Sequence, residues 1–292
     1  MATTEQWIAG ARPRTLPMAV APVVIGSAAG AAMGSFHPAI SVLALVVGLA
    51  LQVGVNYAND YSDGVRGTDD ARVGPMRLTA SGAAEPQRVK QAAFISFGVA
   101  GAAGIGIAAI SGMWWMVAVG AVCVLAAWWY TGGSKPYGYL GLGEVMVFVF
   151  FGLVATLGTA YAMAAELSAS AIVGAISAGL IASALLMANN VRDIPTDSAT
   201  GKLTLAVRLG DRPARWSYVV MVGIAVVAPL GLASTNPWML LVVLSWLLCA
   251  GPIRIMLSTR HSGTALIKVL QLTSLIVLAF AVMFSLALLL GI

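Results

Sequence analysis

AISVLALVVGLALQVGVNYANDYSDG, residues 39–64, is an uncharged apolar run that ends in a cluster of amides and carboxylates. About 20 apolar residues suffice for a helix to cross a bilayer, and residues 39–59 meet that length. At 100° per residue, Asn56, Asp60 and Asp63 fall within a sector of about 60°, with Asn59 at its border. A polar stripe at the end of an apolar helix must face a cavity or a polar partner. Gly64 and Gly67 are expected to break the helix before Asp69 and Asp70.

The rest of the chain has the same apolar character. Of its 292 residues, 60% are hydrophobic and 9% charged, with a mean hydropathy of +0.92. Soluble domains carry about a quarter charged residues, so lipid must cover much of this surface. Apolar runs predict spans near 15–34, 39–59, 92–111, 113–131, 142–163, 169–190, 216–234, 238–257 and 266–290. The expected fold is therefore an all-α integral membrane protein of nine transmembrane helices. No long polar stretch interrupts them, which predicts one transmembrane domain over residues 1–292. The start, Met1 to Arg14, lacks a small-residue cleavage site followed by a polar region and does not read as a secretory signal. Cys123 and Cys249 lie inside apolar runs without disulfide or zinc-ligand spacing and read as free packing residues.

The connections alternate in charge. Those after the odd-numbered spans are short and nearly uncharged. The N-terminus and the connections after the even-numbered spans hold all 16 lysines and arginines. The positive-inside rule makes that side cytoplasmic and predicts a multi-pass protein of the inner (plasma) membrane. The net charge of +5 follows from this topology and from an anionic substrate; nothing resembles a nucleic-acid-binding module. Of the 11 acidic residues, only Glu166 falls outside. Carboxylates contribute little to orientation, so this bias needs another cause.

A second cluster supplies one. NNVRDIPTD, residues 189–197, follows the sixth span, and Asn189, Asp193 and Asp197 recur every four residues on one helical face. Pro195 is expected to kink or end the helix, leaving Asp197 for the following loop. Two carboxylate stripes on one membrane side can converge across a bundle. Their mutual repulsion calls for a cation, and Mg²⁺ commonly binds through one or two carboxylates plus substrate phosphates. Nearby Lys202 and Arg208 suit the remaining phosphate charge, although positive-inside anchoring explains them equally well. A simpler account makes both clusters solvated helix ends, and a cation-coupled transporter also places carboxylates in spans. Transporter sites, however, lie near the bilayer midplane rather than at the helix ends.

These motifs resemble the two aspartate-rich motifs of the UbiA superfamily of intramembrane prenyltransferases. Three further stretches resemble its 1,4-dihydroxy-2-naphthoate polyprenyltransferase (MenA) branch: ARPRTLP (residues 11–17), NYANDYSDGVRGTDD (56–70) and TGGSKPYGYLGLGE (131–144). The likeness spans essentially the whole chain. It implies a UbiA-type bundle around a cavity open to the cytoplasmic side and to lipid. It also implies transfer of a polyprenyl group from polyprenyl diphosphate to 1,4-dihydroxy-2-naphthoate, with loss of diphosphate and CO₂, to give demethylmenaquinone. Another UbiA-type aromatic acceptor is the alternative. The superfamily's first motif has a further Asp four residues on, where this chain has Gly67; Asp69 or Asp70 is expected to replace it. A CDP-alcohol phosphotransferase motif fits Asp60, Asp63 and Gly64 but fails at Gly67-Thr68.

The candidate site follows from both readings. Asp60, Asp63, Asp193 and Asp197 are the expected metal ligands, with Asp69 or Asp70 in addition. Asn56, Asn59 and Asn189 are expected to orient ligands or phosphates. Lys135, in the Gly- and Pro-rich loop, is a candidate for delivering a cation to the pocket. Tyr137 and Tyr139 are candidates for lining the aromatic-substrate site, and Glu144 or a first-motif Asp for the base. Arg12 and Arg14 are expected to meet lipid headgroups.

Overall fold

A computed structural model describes residues 2–68, 76–258 and 263–292, and among these every regular element is helical. Inside a bilayer this is a physical requirement, because only a helix or a closed barrel satisfies its own backbone polar groups. The chain opens with α1 (Thr4–Ala11), capped by reciprocal Thr3 and Gln6 hydrogen bonds. Next come α2 (Pro17–Ala32), α3 (Pro38–Arg66), α4 (Pro86–Ser111) and α5 (Met116–Trp129). The second half contains α6 (Gly143–Ala164), α7 (Ala169–Ala199), α8 (Asp211–Leu232), α9 (Pro237–Leu257) and α10 (Thr264–Leu290).

Among the described residues, the seven helices α3, α4 and α6 to α10 are long and apolar enough to cross a membrane, making this a multi-pass membrane protein. Each of the nine expected spans falls on one of α2 to α10. Two of those helices do not reach the required length alone. α2 has 16 residues and meets the preceding Thr4–Thr15 segment at a 49° bend. α5 has 14 residues, about 21 Å at 1.5 Å per residue against a hydrocarbon core of about 30 Å.

Packing divides the bundle. Helices α2, α7, α8, α9 and α10 bury one large apolar core that includes Ile25, Ile181, Tyr218, Phe280 and Phe284. A smaller core gathers Tyr57, Leu78, Val89 and Phe97 around the polar end of α3. Ile95, Trp129 and Leu247 remain exposed on the outside, as lipid-facing positions do. α6 and α7 approach so closely that a Cβ on Gly152 would lie 2.4 Å from the Gly179 Cα. Gly152 sits in a π-helical turn, Phe148–Val154, a distortion common at functional sites.

Two boundaries bear on the site. α3 runs past Gly64 and stops at Gly67, whose φ of 75° gives the left-handed cap glycine favours. α7 does not stop at Pro195 but continues to Ala199. A proline removes one intrahelical hydrogen bond, yet Asn190, Val191, Arg192, Asp193 and Asp197 are all buried around it. Tertiary packing outweighs that local penalty, so Asp197 is helical rather than in a loop.

Candidate active site

The polar ends of α3 and α7 meet through one lysine. Lys202 Nζ lies 3.4 Å from Asp63 Oδ2 and 3.9 Å from Asp197 Oδ1. The other Asp63 oxygen accepts a 2.8 Å hydrogen bond from the Tyr139 hydroxyl. The Lys202 ammonium also lies 5.2 Å from the centre of the Tyr139 ring, and the Arg66 guanidinium 5.4 Å from it. Burial first, and the Asp63 charge second, push the Tyr139 hydroxyl above the ordinary phenol range. It therefore stays a donor to the carboxylate.

The Gly-rich loop between α5 and α6 is fastened from α3. Thr131 Oγ1 donates to Asn59 Oδ1 at 2.8 Å, and Arg66 donates to the carbonyls of Thr131 and Gly133. These bonds set Tyr139 over Asp63. Lys135 is exposed at the loop's outer edge, and Tyr137 donates to the Ala126 carbonyl at 2.8 Å. Arg208 is exposed and donates to the Leu203 carbonyl at 3.2 Å.

The remaining candidates have other partners. Both Asp60 oxygens accept backbone N–H groups, from Leu78 and Thr79, each at 2.8 Å. Asn56 donates to the Ala11 carbonyl at 2.9 Å and to Thr15 Oγ1 at 3.2 Å, tying the N-terminal segment to α3. Asp193 pairs with Arg192 of its own helix at 2.7 Å through both oxygens, and Asn189 joins this pair. Asp69 and Asp70 lie outside the described residues.

Sequence reading passed over two members of this region. Asn190, not Asn189, donates to Glu144 Oε1 at 2.9 Å. Glu144 is buried, and among the described residues its Oε2 has no hydrogen-bond partner. The signal for Asn190 was its position seven residues before Asp197, two helical turns along one face. Tyr130 is the second; its ring packs edge-on against that of Tyr137, with centroids 5.5 Å apart.

Tyr130 and Tyr137 also line a cavity of about 580 Å³ between α2, α3, α4, α5 and α6. Its walls are almost wholly apolar, with Gly48, Leu51, Gly104, Gly120 and Phe151 among them. It reaches from Tyr130, just past α5, to Met116 at the start of that helix. Cys123 lies in the wall, while Cys249 is buried, and both are free.

The donor set fits a divalent ion only in partnership. Among the described residues, no three His, Cys, Asp or Glu side chains converge on one metal position. Two carboxylates do face each other across a cation, the Lys202 ammonium. Hard oxygen ligands from one or two carboxylates, completed by phosphate oxygens, are what Mg²⁺ ordinarily uses.

Comparison with known proteins finds relatives over nearly the whole chain. Residues 19–276 match the UbiA prenyltransferase family. A relative from Mycobacterium tuberculosis (strain ATCC 25618 / H37Rv), a 1,4-dihydroxy-2-naphthoate octaprenyltransferase, is 48% identical over 96% of each chain. Its Escherichia coli (strain K12) namesake is 38% identical, over 73% of this chain and 71% of its own. Among solved structures, a UbiA homologue from Archaeoglobus fulgidus bound to GPP and Mg²⁺ superposes with a TM-score of 0.65 at 13% identity. That match covers 96% of this chain and 99% of the other, and shows a shared fold.

Proposed function

Since the chain belongs to the UbiA prenyltransferase family, we propose that it transfers a polyprenyl group from polyprenyl diphosphate to 1,4-dihydroxy-2-naphthoate. Diphosphate and CO₂ are released, and the prenylated naphthoquinol, the reduced form of demethylmenaquinone, is formed. The observation that carries this reading is an apolar cavity lined by Tyr130 and Tyr137 beside the loop whose Tyr139 donates to Asp63, one of the facing pair Asp63 and Asp197. The cavity suits an isoprenoid chain and the facing pair its charged head.

Asp63 and Asp197 would hold Mg²⁺, which supplies charge that neutralises the diphosphate as a leaving group. Lys202 takes part of the phosphate charge, and the Tyr139 hydroxyl orients Asp63. The apolar walls exclude water from the allylic cation formed when the C–O bond breaks. The acceptor carbon that bears the carboxylate then attacks, and loss of CO₂ restores aromaticity. Glu144 is proposed to take the acceptor's ring-hydroxyl proton as the carbon attacks and to return it once CO₂ has left, because its Oε2 is buried with no hydrogen-bond partner among the described residues. Asp60 and Asn56 act as anchors, holding the 78–79 backbone and the N-terminal segment against α3.

The test is mass spectrometry of products formed by the purified protein from a panel of prenyl diphosphates and aromatic acceptors. Prenylated naphthoquinol is expected with divalent metal and none after thorough chelation. Undiminished turnover in chelator, or product only from a different acceptor, would overturn the reading.

We further propose nine crossings, with α2 and α5 completing the set in the inner (plasma) membrane. Residues 1–292 would form one transmembrane domain, with the N-terminus and the aspartate-bearing ends cytoplasmic. Segregation of lysine and arginine supports this orientation. Cysteines introduced at Ser134 and Ser198 should label from the cytoplasmic side, and one at Ser35 from the other. Labelling of all three from one side would overturn the assigned orientation.

A further inference from the structure

Asp63 and Asp197 are nearly closed off from water, with side chains 2% and 9% exposed, while that of Lys202 is 17% exposed. Lys202 is thus the least buried side chain of the trio, with its ammonium within 4 Å of both carboxylates. Its position is built in. Gly201, at φ 75°, adopts a conformation L side chains rarely accept. The turn brings the Lys202 backbone N–H back to the Asp197 carbonyl at 2.9 Å. From there the side chain returns across Tyr139 to Asp63, 139 positions earlier in the chain.

We propose that Lys202 is a resident counter-ion, its ammonium filling the space between Asp63 and Asp197 that a divalent metal takes, so that metal enters only together with a diphosphate. This rests on the metal-binding role proposed above for the two aspartates. A divalent ion arriving alone must either sit beside the ammonium or drive it out of its anionic nest. Both are unfavourable where little water screens the charges. A diphosphate changes the exchange, because its oxygens receive the displaced ammonium and complete the metal's ligand sphere. Lys202 would therefore serve as a positioning residue that sets the order of binding, its single charge partly offsetting the two carboxylates in the free enzyme.

The experiment measures Mn²⁺ affinity of the purified full-length protein in detergent by electron paramagnetic resonance, with no diphosphate present. Wild type should bind Mn²⁺ weakly. Lys202→Met removes the cation that faces both buried carboxylates, and should bind Mn²⁺ about tenfold more tightly or better. Lys202→Arg keeps a cation and should stay near wild type, and Asp63→Asn added to Lys202→Met should abolish the gain. Mn²⁺ alone should raise the thermal midpoint of Lys202→Met but not of wild type. If Lys202→Met does not fold, Lys202→Gln makes the same measurement. A neutral variant that folds and binds Mn²⁺ no more tightly than wild type overturns the proposal. So does a gain that survives loss of Asp63. The readout needs no turnover, so the two readings fail separately. Absence of prenylated product beside tightened Mn²⁺ binding would remove the catalytic reading and leave the counter-ion.

Discussion

Asp63→Asn and Asp197→Asn are each expected to lower turnover by about a thousandfold while the protein stays folded and membrane-inserted. Each change keeps the side-chain size and removes the charge that faces Lys202 and, on the proposed reading, the metal–diphosphate assembly. The two aspartates come from helices far apart in sequence, and both face the Lys202 ammonium. Groups acting through one assembly are grossly non-additive, so the double variant should be little worse than either single one. The measurement is a double-mutant cycle in turnover, run beside thermal stability in detergent. Losses that multiply, or near-normal activity in a folded single variant, would mean that Asp63 and Asp197 do not form one site.

Asp60→Asn should fail in a different way. Both Asp60 oxygens accept backbone N–H groups, and the carboxylate is fully buried. An asparagine can satisfy one N–H with its oxygen but must present its NH₂ group to the other. A lost charge-assisted bond together with an orphaned buried donor costs about 3 kcal/mol. The neighbouring packing offers no room to adjust, since a Cβ on Gly64 would already lie 2.6 Å from Thr79. Thermal stability should therefore fall by several degrees, and Mn²⁺ binding by Lys202→Met should persist when Asp60→Asn is added. Unchanged stability with loss of that binding would make Asp60 a metal ligand, as its place in the motif first suggests.

Some of this was written in residue order alone. Apolar runs of sufficient length dictate helices in lipid, because an unsatisfied backbone group has no water to turn to. Segregation of lysine and arginine carries the orientation expected here, and helical spacing put Asp60 and Asp63 on one stripe and Asp193 and Asp197 on another. What spacing does not carry is which partner each side chain finds. Asp60 and Asp63 share a face, yet one anchors the 78–79 backbone and the other meets Tyr139 and Lys202. Asn189 and Asn190 look equivalent in sequence, but a 100° rotation between neighbours turns Asn190 to Glu144 and Asn189 to Arg192. Pro195 reads as a helix end, and burial of the residues around it carries α7 through. Sequence thus determined helices, faces and the grouping of charge, which depend on a residue and its near neighbours. The assignment of anchor, counter-ion and facing pair was decided by tertiary structure, because a buried charge is settled by whichever group the fold brings within about 3–4 Å of it.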